Sequence, residues 1–336
     1  MAALEDVREI SRLAYGFMGS KALFSALNLD IFSRLAATSK GLVSFSNETG
    51  IAAHRLETLL TACVSLGLLV REGDKYRNAP ASERYLVRTA PNYFGDYYRF
   101  QIDRQVYPML ESLDDGLAGQ DVSGLYTGGF SDPAMADDFA RGQHSGSLGP
   151  AYVLARTVDL HGATTLLDVG GGSGAFSITL CRRFPDLTAV IIDFPNMIDI
   201  ARKHVASAGL DNRISFASAS AEASTWPAGV DAILMSYLFS AVGQTEVTQL
   251  IAKAFDALRP GGQFLVHDFV VDDDRSGPDL AALWSLVMVM GTPDFAFLTP
   301  GRLDTMLDRA GFVEIDTNPL ISDITSLTQA RKPSPA

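Results

Sequence analysis

The sequence predicts an α/β protein in which a parallel sheet flanked by helices follows a smaller helical domain. Three observations support this prediction. From about residue 163, strand-like apolar runs alternate with helical patterns, which is typical of a right-handed parallel sheet. A glycine-rich turn joins the first of these strands to a helix. Residues 1–90 instead show apolar residues at helical spacing and then a short hairpin, so we expect a separate domain there.

The composition limits the possible functions. With 336 residues the chain can bury the cores of two domains. The net charge of −12 disfavours binding to nucleic-acid phosphates. The longest apolar runs, such as residues 281–290, are too short to span a membrane, and residues 1–10 lack the apolar core of a signal peptide. We therefore expect a cytoplasmic protein with no membrane or nucleic-acid partner.

Both cysteines lie inside apolar helical patterns. Cys63 and Cys181 are the only two in the chain, and their surroundings favour buried free thiols over a disulfide or a pair of metal ligands. No metal site is predicted.

Residues 1–90 have the pattern of a winged helix. Residues 43–62 resemble a helix-turn-helix, and residues 68–76 form a predicted hairpin around a Gly-Asp turn. A DNA-binding domain would give the same pattern. However, the charged or titratable side chains of the second helix, residues 51–62, are His54, Arg55 and Glu57. This helix therefore lacks the positive charge that a DNA-recognition helix needs. DNA binding is therefore disfavoured.

The glycine-rich turn has the sequence LLDVGGGSGA at residues 166–175. Glycines let the backbone turn sharply next to a ligand, and the helix that follows offers unpaired N–H groups. A second predicted strand ends in Asp193, about 20 residues on, where a carboxylate can accept both hydroxyls of a ribose. Gly170, Gly172 and Ala175 match the loose dinucleotide pattern, so the turn alone fits NAD as well as S-adenosylmethionine (SAM).

Further motifs decide between these two nucleotides. They are LRPGG at residues 258–262, GFMGSKAL at 16–23 and LDRAGF at 307–312. In this order, and together with the glycine turn, they resemble the class I SAM-dependent small-molecule O-methyltransferases of plants and bacteria over residues 11–330. The resemblance implies a Rossmann-like methyltransferase domain preceded by an α-helical winged-helix dimerisation domain, and hence a homodimer acting on a small-molecule acceptor.

The resemblance also implies the domain boundaries and the cofactor residues. Residues 1–90 would form the dimerisation domain, 91–160 a helical connector that roofs the substrate pocket, and 161–331 the SAM-binding domain. SAM would leave as S-adenosylhomocysteine (SAH). Asp168, Gly170 and Gly172 are expected at the methionine end of SAM, and Asp193 on its ribose. The other cofactor candidates are Phe194, Ser220 and Met235.

Candidate acceptor contacts come from the connector and from the segment that lines the pocket in relatives. They are Tyr97, Arg104, Gln143, His144, Trp284, Met288, Phe295 and Phe297. The aromatic faces can stabilise a positively charged sulfur. The alternative for the aromatic residues is plain core packing, and for Arg104 a solvated helix face.

The catalytic base of the family is missing. Relatives carry a His-Asp pair after the fourth strand, whereas this chain places Phe239 at the position of the histidine and Ser240 at that of the aspartate. Neither residue acts as a base at neutral pH. His144 and His267 are the reserve candidates. The enzyme therefore uses another base, has lost methyl transfer, or acts on an acceptor with no proton to lose.

A thioether acceptor fits the third explanation, because its sulfur attacks with a lone pair it already has. Proximity and exclusion of water would then suffice for catalysis. Within the family, the chain is expected to resemble the S-directed 4-methylthio-2-hydroxybutyrate methyltransferases of dimethylsulfoniopropionate synthesis. The alternatives are an O-methyltransferase with a relocated base and a SAM-binding descendant that no longer methylates.

Overall fold

The computed structural model describes residues 3–120, 122, 133–292 and 294–335, without the side chains of 133–137 and 139. The chain divides into two compact units, Met1–Gln105 and Val106–Ala336. The predicted domain boundaries near residues 90 and 160 stay predictions.

The N-terminal unit is mostly helical. Its helices are α1 (Val7–Ala14), α2 (Gly16–Asn28), α3 (Ile31–Arg34), α4 (Leu42–Thr49), α5 (Ala53–Ser65) and α6 (Pro80–Tyr85), and a π-helical segment covers Tyr97–Val106. The strands β1 (Lys40–Gly41), β2 (Leu69–Glu72) and β3 (Lys75–Asn78) form an antiparallel sheet in the order β1-β3-β2. Phe32, Phe45, Leu56, Leu60 and Tyr76 are fully buried between these elements. A helix-turn-helix followed by a hairpin is the order of elements that the sequence predicts.

The C-terminal unit is an α/β layer structure. Its helices are α7 (Tyr107–Met109), α8 (Leu113–Leu117), α9 (Pro133–Thr157), α10 (Ala175–Arg183), α11 (Pro195–Ala208), α12 (Gln244–Ala257), α13 (Asp279–Gly291) and α14 (Pro300–Arg309). Its strands are β4 (Thr165–Val169), β5 (Thr188–Asp193), β6 (Ile214–Ser218), β7 (Val230–Ser236), β8 (Leu258–Asp268), β9 (Val313–Ile321) and β10 (Thr325–Arg331). Short 3-10 helices cover Leu110–Ser112 and Phe239–Ala241.

The seven strands have the order β6-β5-β4-β7-β8-β10-β9. Strands β4 to β8 run parallel, as predicted. The expectation of an all-parallel sheet is wrong for β10, which is antiparallel to both of its neighbours. Only three residues separate β9 from β10, and so short a connection joins antiparallel strands. The sheet is therefore mixed.

Two apolar clusters pack on this sheet. One joins the sheet to α9, α10 and α11, and the other joins it to α12 and α14. Because helices cover both faces, β4 and β7 are nearly continuous apolar runs. The strand order reverses at β4, with β5 on one side and β7 on the other. A crevice forms at such a point, beyond the carboxyl ends of the strands.

Within the described residues, no helix is both long enough and apolar enough to cross a membrane.

Candidate active site

A cavity of about 370 Å³ opens at the carboxyl edge of the parallel strands. Four of the predicted cofactor residues line it: Gly170, Asp193, Phe194 and Ser220. Each lies at or just after the end of a strand, so the topology that forms the crevice also gathers these side chains. The cavity is therefore the candidate cofactor site.

The glycine turn forms one wall of the site. Gly170 and Gly172 have positive φ angles of 69° and 55°, a region that favours glycine. A Cβ atom at Gly171 would lie 2.8 Å from the carboxyl carbon of Asp168, so the turn has no room for a side chain there. The helix α10 begins directly after the turn, and its first N–H groups point to this end of the sheet.

Asp193 is held in place by the backbone and still has lone pairs to offer. Its Oδ2 accepts a hydrogen bond from the N–H of Gly172 at 2.7 Å, and its Oδ1 accepts one from the N–H of Phe194 at 2.7 Å. Burial raises the pKa of this carboxyl. Each oxygen can accept one more hydrogen bond, which is what the two hydroxyls of a ribose need.

Asp168 and Met235 are not among the residues that line the cavity, and their cofactor roles stay predictions. Asp168 is buried behind the turn, where its Oδ2 accepts a hydrogen bond from Ser177 Oγ at 2.6 Å. Burial raises the pKa of Asp168 to about 6, and its Oδ1 has no hydrogen-bond partner among the described residues. Met235 is fully buried in the core cluster that contains Phe239. Neither side chain lines the cavity, because residues inside β4 and β7 are covered by helices.

Gln143, predicted as an acceptor contact, instead lines the cofactor cavity. Its Oε1 is buried, has no hydrogen-bond partner in the part of the chain that the structure describes, and lies 2.6 Å from where a Cβ atom of Gly172 would be. An unpaired buried acceptor is costly unless a ligand donates to it. SAM carries an ammonium group at its methionine end, so the residues present fit this cofactor.

The two reserve histidines are both engaged. His144 Nδ1 is 2.9 Å from Ser173 Oγ, and its ring stacks on His204 with centroids 3.7 Å apart. Burial lowers the pKa of His144 to about 4, with a further contribution from His204. His267 is fully buried, its Nδ1 is 2.9 Å from Ser236 Oγ, and its Nε2 is 2.9 Å from Thr325 Oγ1.

Burial also lowers the pKa of His267 to about 3. The expectation that it could serve as a reserve base is not supported, since both ring nitrogens are bonded inside the protein.

The segment that lacks the family histidine has a structural role. Phe239 is buried and packs in the core, with its ring centroid 6.3 Å from that of Phe264. The N–H of Ser240 donates to Asp268 Oδ2 at 3.1 Å, and the N–H of Phe269 donates to Asp268 Oδ1 at 2.8 Å. Burial raises the pKa of Asp268 to about 6. These contacts fix the loops after β7 and β8.

An aromatic row leads away from the cavity; it consists of Tyr237, Phe269 and Trp284. Tyr237 lines the cavity and has a positive φ of 57°, a strained conformation for a non-glycine residue. Its ring centroid is 5.2 Å from that of Phe269, which stacks on Trp284 at 4.9 Å. Sequence analysis found Trp284 but missed the other two, although both directly follow the ends of β7 and β8.

The other predicted acceptor contacts are more dispersed. Met288 is buried, while Phe295 and Phe297 form an edge-to-face pair at 5.5 Å. In the N-terminal unit, the guanidinium of Arg104 lies 4.9 Å from the ring centroid of Phe100, and the ring of Tyr97 packs against Phe94. The roles of all five residues stay predictions. In the described parts of the chain, no group of three or more His, Cys, Asp or Glu residues could hold a metal ion.

Comparison with known families decides the identity of the fold. An O-methyltransferase domain model matches residues 118–313, and an O-methyltransferase dimerisation domain model matches residues 11–88. The chain belongs to this O-methyltransferase family. It is 34% identical over 287 residues to 3-hydroxy-5-methyl-1-naphthoate 3-O-methyltransferase of Streptomyces sahachiroi, covering 84% of this chain and 83% of that protein.

Two further relatives cover nearly the whole chain. The tetracenomycin polyketide synthesis 8-O-methyl transferase TcmO of Streptomyces glaucescens is 33% identical over 330 residues, covering 97% of this chain and 96% of that protein. The structure of human N-acetylserotonin methyltransferase in complex with SAM matches with a TM-score of 0.85 and 25% identity, covering 99% of this chain and 100% of that one. The fold prediction is confirmed, and the protein is a SAM-dependent methyltransferase with a dimerisation domain.

The finer expectation, a thioether acceptor, finds no support in these relatives. The acceptor atom in the names of the two Streptomyces enzymes is oxygen. The missing histidine does not distinguish a sulfur acceptor from an oxygen acceptor. A thioether has no proton to lose, and a hydroxyl that is already ionised has lost its proton, so neither needs a base.

Proposed function

We propose that this enzyme transfers the methyl group of SAM to a hydroxyl oxygen of an aromatic small molecule of the polyketide type. The aromatic row carries this proposal: it starts at the cofactor cavity with Tyr237 and continues through Phe269 to Trp284. Such a row offers ring faces to a flat acceptor. The naphthoate and polyketide substrates in the names of the two Streptomyces relatives support the same class.

The cofactor is held by the carboxyl edge of the sheet in this proposal. The carboxylate of Asp193 accepts hydrogen bonds from the ribose, and Phe194, which is half exposed at the cavity wall, covers the nucleoside. Ser220 follows β6 and lines the same cavity, and we assign it to the adenine end of the cofactor in this proposal. Gln143 Oε1 accepts from the amino group at the methionine end. When bound, SAM supplies a methyl group on a positively charged sulfur.

The protein promotes the reaction by orienting the acceptor and by excluding water. Rings of the aromatic row orient the acceptor, and the apolar side chains of Leu238 and Val242 in the cavity wall limit the access of water. Holding the two reactants in line can remove on the order of 7–11 kcal/mol from the barrier.

A panel of acceptors tests this function. The enzyme is incubated with SAM and, separately, with naphthols, with 4-methylthio-2-hydroxybutyrate and with aromatic amines, and SAH is followed by mass spectrometry. We expect SAH with the naphthols and little with the other two. Turnover with the thioether alone would contradict O-methylation and support a thioether acceptor. SAM binding without SAH from any acceptor would indicate a descendant that no longer methylates.

We also propose a homodimer formed through a winged helix in residues 1–90, working in the cytoplasm without a nucleic-acid partner. The matched dimerisation domain supports the dimer, as does α1, which buries none of its residues and exposes Val7, Ile10 and Leu13. The free thiols of Cys63 and Cys181 suit a reducing compartment. Light scattering should give about twice the chain mass of 36.1 kDa. A monomer, or a duplex-DNA complex that survives physiological salt, would contradict this.

A further inference from the structure

We propose that the acceptor hydroxyl is an acidic phenol or enol, conjugated to a carbonyl or a similar electron-withdrawing group, and that it reacts as an anion formed before the methyl transfer. This inference rests on the proposed O-methylation and names the acceptor class more narrowly. It follows from what the protein places around the cavity.

All five histidines of the chain lie in described residues, and none is poised to take a proton from an acceptor. Both ring nitrogens of His267 are hydrogen-bonded inside the core. His144 is hydrogen-bonded to Ser173, and its ring stacks on that of His204. His161 is exposed in the turn before β4, at the opposite edge of the sheet from the cavity. His54 belongs to the N-terminal unit, on an exposed face of α5.

The other charged or titratable groups at the cavity wall are suited to different tasks. They are Asp193, Glu222, Tyr237 and Glu246, with the ammonium of Lys253 bonded to the carbonyls of Ala221 and Glu222. Asp193 is bonded to the glycine turn, and Glu246 Oε2 accepts from the N–H of Gly243 at 3.2 Å.

Carboxylates match a simple phenol poorly as proton acceptors. A free carboxylic acid is more acidic than a simple phenol by about six pKa units, so transfer of a phenol proton to a carboxylate is strongly uphill. An acceptor whose own pKa lies near or below neutrality needs no such transfer. The described carboxylates of the wall are therefore poor bases for a simple phenol, and an acceptor that arrives already ionised needs none.

The step then balances without a proton. A lone pair of the phenolate or enolate oxygen forms the new C–O bond to the methyl carbon, and the C–S bond breaks with its electron pair going to sulfur. A negative oxygen and a positive sulfur become a neutral ether and a neutral thioether. The acceptor's proton has gone to solvent before this step. The nearby sulfonium charge favours the ionised acceptor, because an opposite charge lowers the pKa of an acid.

Phenols with increasing numbers of ring fluorines provide the test. Fluorine lowers the phenol pKa with little change in shape. We expect kcat/KM to fall about tenfold per pH unit below a midpoint, and that midpoint to move down with the acidity of each acceptor. A midpoint shared by all acceptors would report a group on the enzyme and would overturn the inference. In that case the proposed O-methylation would still stand, whereas no methylation of any phenol would remove both.

Histidine variants sharpen the result. H54Q, H144Q and H267N should each keep the midpoint of the parent enzyme for a given phenol, with folding checked by circular dichroism. A midpoint that disappears in one folded variant would identify that histidine as the base. If H267N does not fold, the acceptor series still decides the question, because it uses the unaltered enzyme.

Discussion

The two edges of the parallel sheet use the same residue type for opposite purposes. At the amino edge, Asp231 near the start of β7 accepts hydrogen bonds from the N–H and hydroxyl groups of Thr164 and Thr165, and it pairs with Arg259. These contacts hold the pKa of Asp231 well below its usual range. At the carboxyl edge, Asp193 accepts only one backbone hydrogen bond on each oxygen and lines the cavity.

The difference shows how to separate a structural acid from a binding one. Asp231 Oδ2 accepts four hydrogen bonds from Thr164 and Thr165 while Oδ1 pairs with Arg259, so this carboxylate ties β4 to β7. Asp193 is positioned equally firmly but keeps capacity for a ligand. What distinguishes them is the hydrogen-bonding capacity that remains after the protein's own groups are satisfied. Gln143 likewise keeps a buried acceptor, Oε1, that has no partner among the described residues, whereas the Nε2 of Gln263 at the amino edge donates to the carbonyl of Asp159 at 2.7 Å.

The largest expected effect is on cofactor affinity. D193A should weaken SAM binding by about 100-fold in isothermal titration, because two hydrogen bonds to a charged group are lost, while the melting temperature changes little. D231A is the matched control: it should lower the melting temperature and leave SAM affinity unchanged. If D231A abolished SAM binding in a folded protein, or D193A left it intact, the distinction between the two edges would fail.

The next effect concerns the acceptor beyond the carboxyl edge. W284A should lower kcat/KM for an aromatic acceptor by about 10- to 30-fold, since a stacking face and its buried area are removed. SAM affinity should not change. W284F keeps an aromatic ring against Phe269 and should restore most of the activity in the same assay. A parallel loss of SAM binding in W284A would place Trp284 on the cofactor side instead.

A smaller effect is expected at Gln143. Q143L should weaken SAH binding by about 5- to 10-fold, because one buried acceptor is lost. With an SAH analogue that lacks the α-amino group, the same substitution should have no effect. Q263L is the control at the amino edge and should bind both ligands like the parent protein. An equal penalty for SAH and the analogue would mean that Gln143 contacts another part of the cofactor.

The smallest effect is a pH dependence of stability. His144 has a pKa of about 4 in the folded protein and near 6.5 when unfolded, so below pH 6.5 the unfolded chain gains a proton that the folded one does not. Stability therefore falls as the pH drops from 6.5 towards 4. In H144Q this loss is absent. The stability deficit of H144Q should be smaller at pH 5.5 than at pH 7.5 by about 1 kcal/mol in urea titrations, whereas a constant deficit would contradict the burial of a neutral ring.

The parallel strands, the glycine turn and the position of Asp193 at the end of β5 could be predicted because each depends on local pattern. Within about 30 residues the sequence contains an apolar run, a GGGSG turn and an acid at the end of the next strand. The placement of β10 could not be predicted in the same way. Whether the last strand joins the edge or inserts beside β8 depends on pairing between distant segments.

The hydrogen-bond partners of the histidines could not be predicted from the sequence either. His267 ends a strand next to Asp268, as a catalytic residue often does, and only the structure reveals that Ser236 and Thr325 occupy its nitrogens. The connector sequence also does not reveal that α9 brings Gln143 to the glycine turn, and the predicted acceptor role of Gln143 stays a prediction. Tertiary contacts of this kind carry no periodic signal.

The insertion of β10 between β8 and β9 has a consequence for synthesis on the ribosome. Among the strands that the structure describes, β9 pairs with β10 alone, and β10 alone lies along the outer side of β8. Until residues 325–331 emerge from the exit tunnel, β8 therefore presents an open row of backbone donors and acceptors, and β9 has no sheet to join. A nascent chain that already contains the whole glycine turn still carries an edge that can pair with another chain, which makes this last strand a safeguard against aggregation as well as a part of the fold.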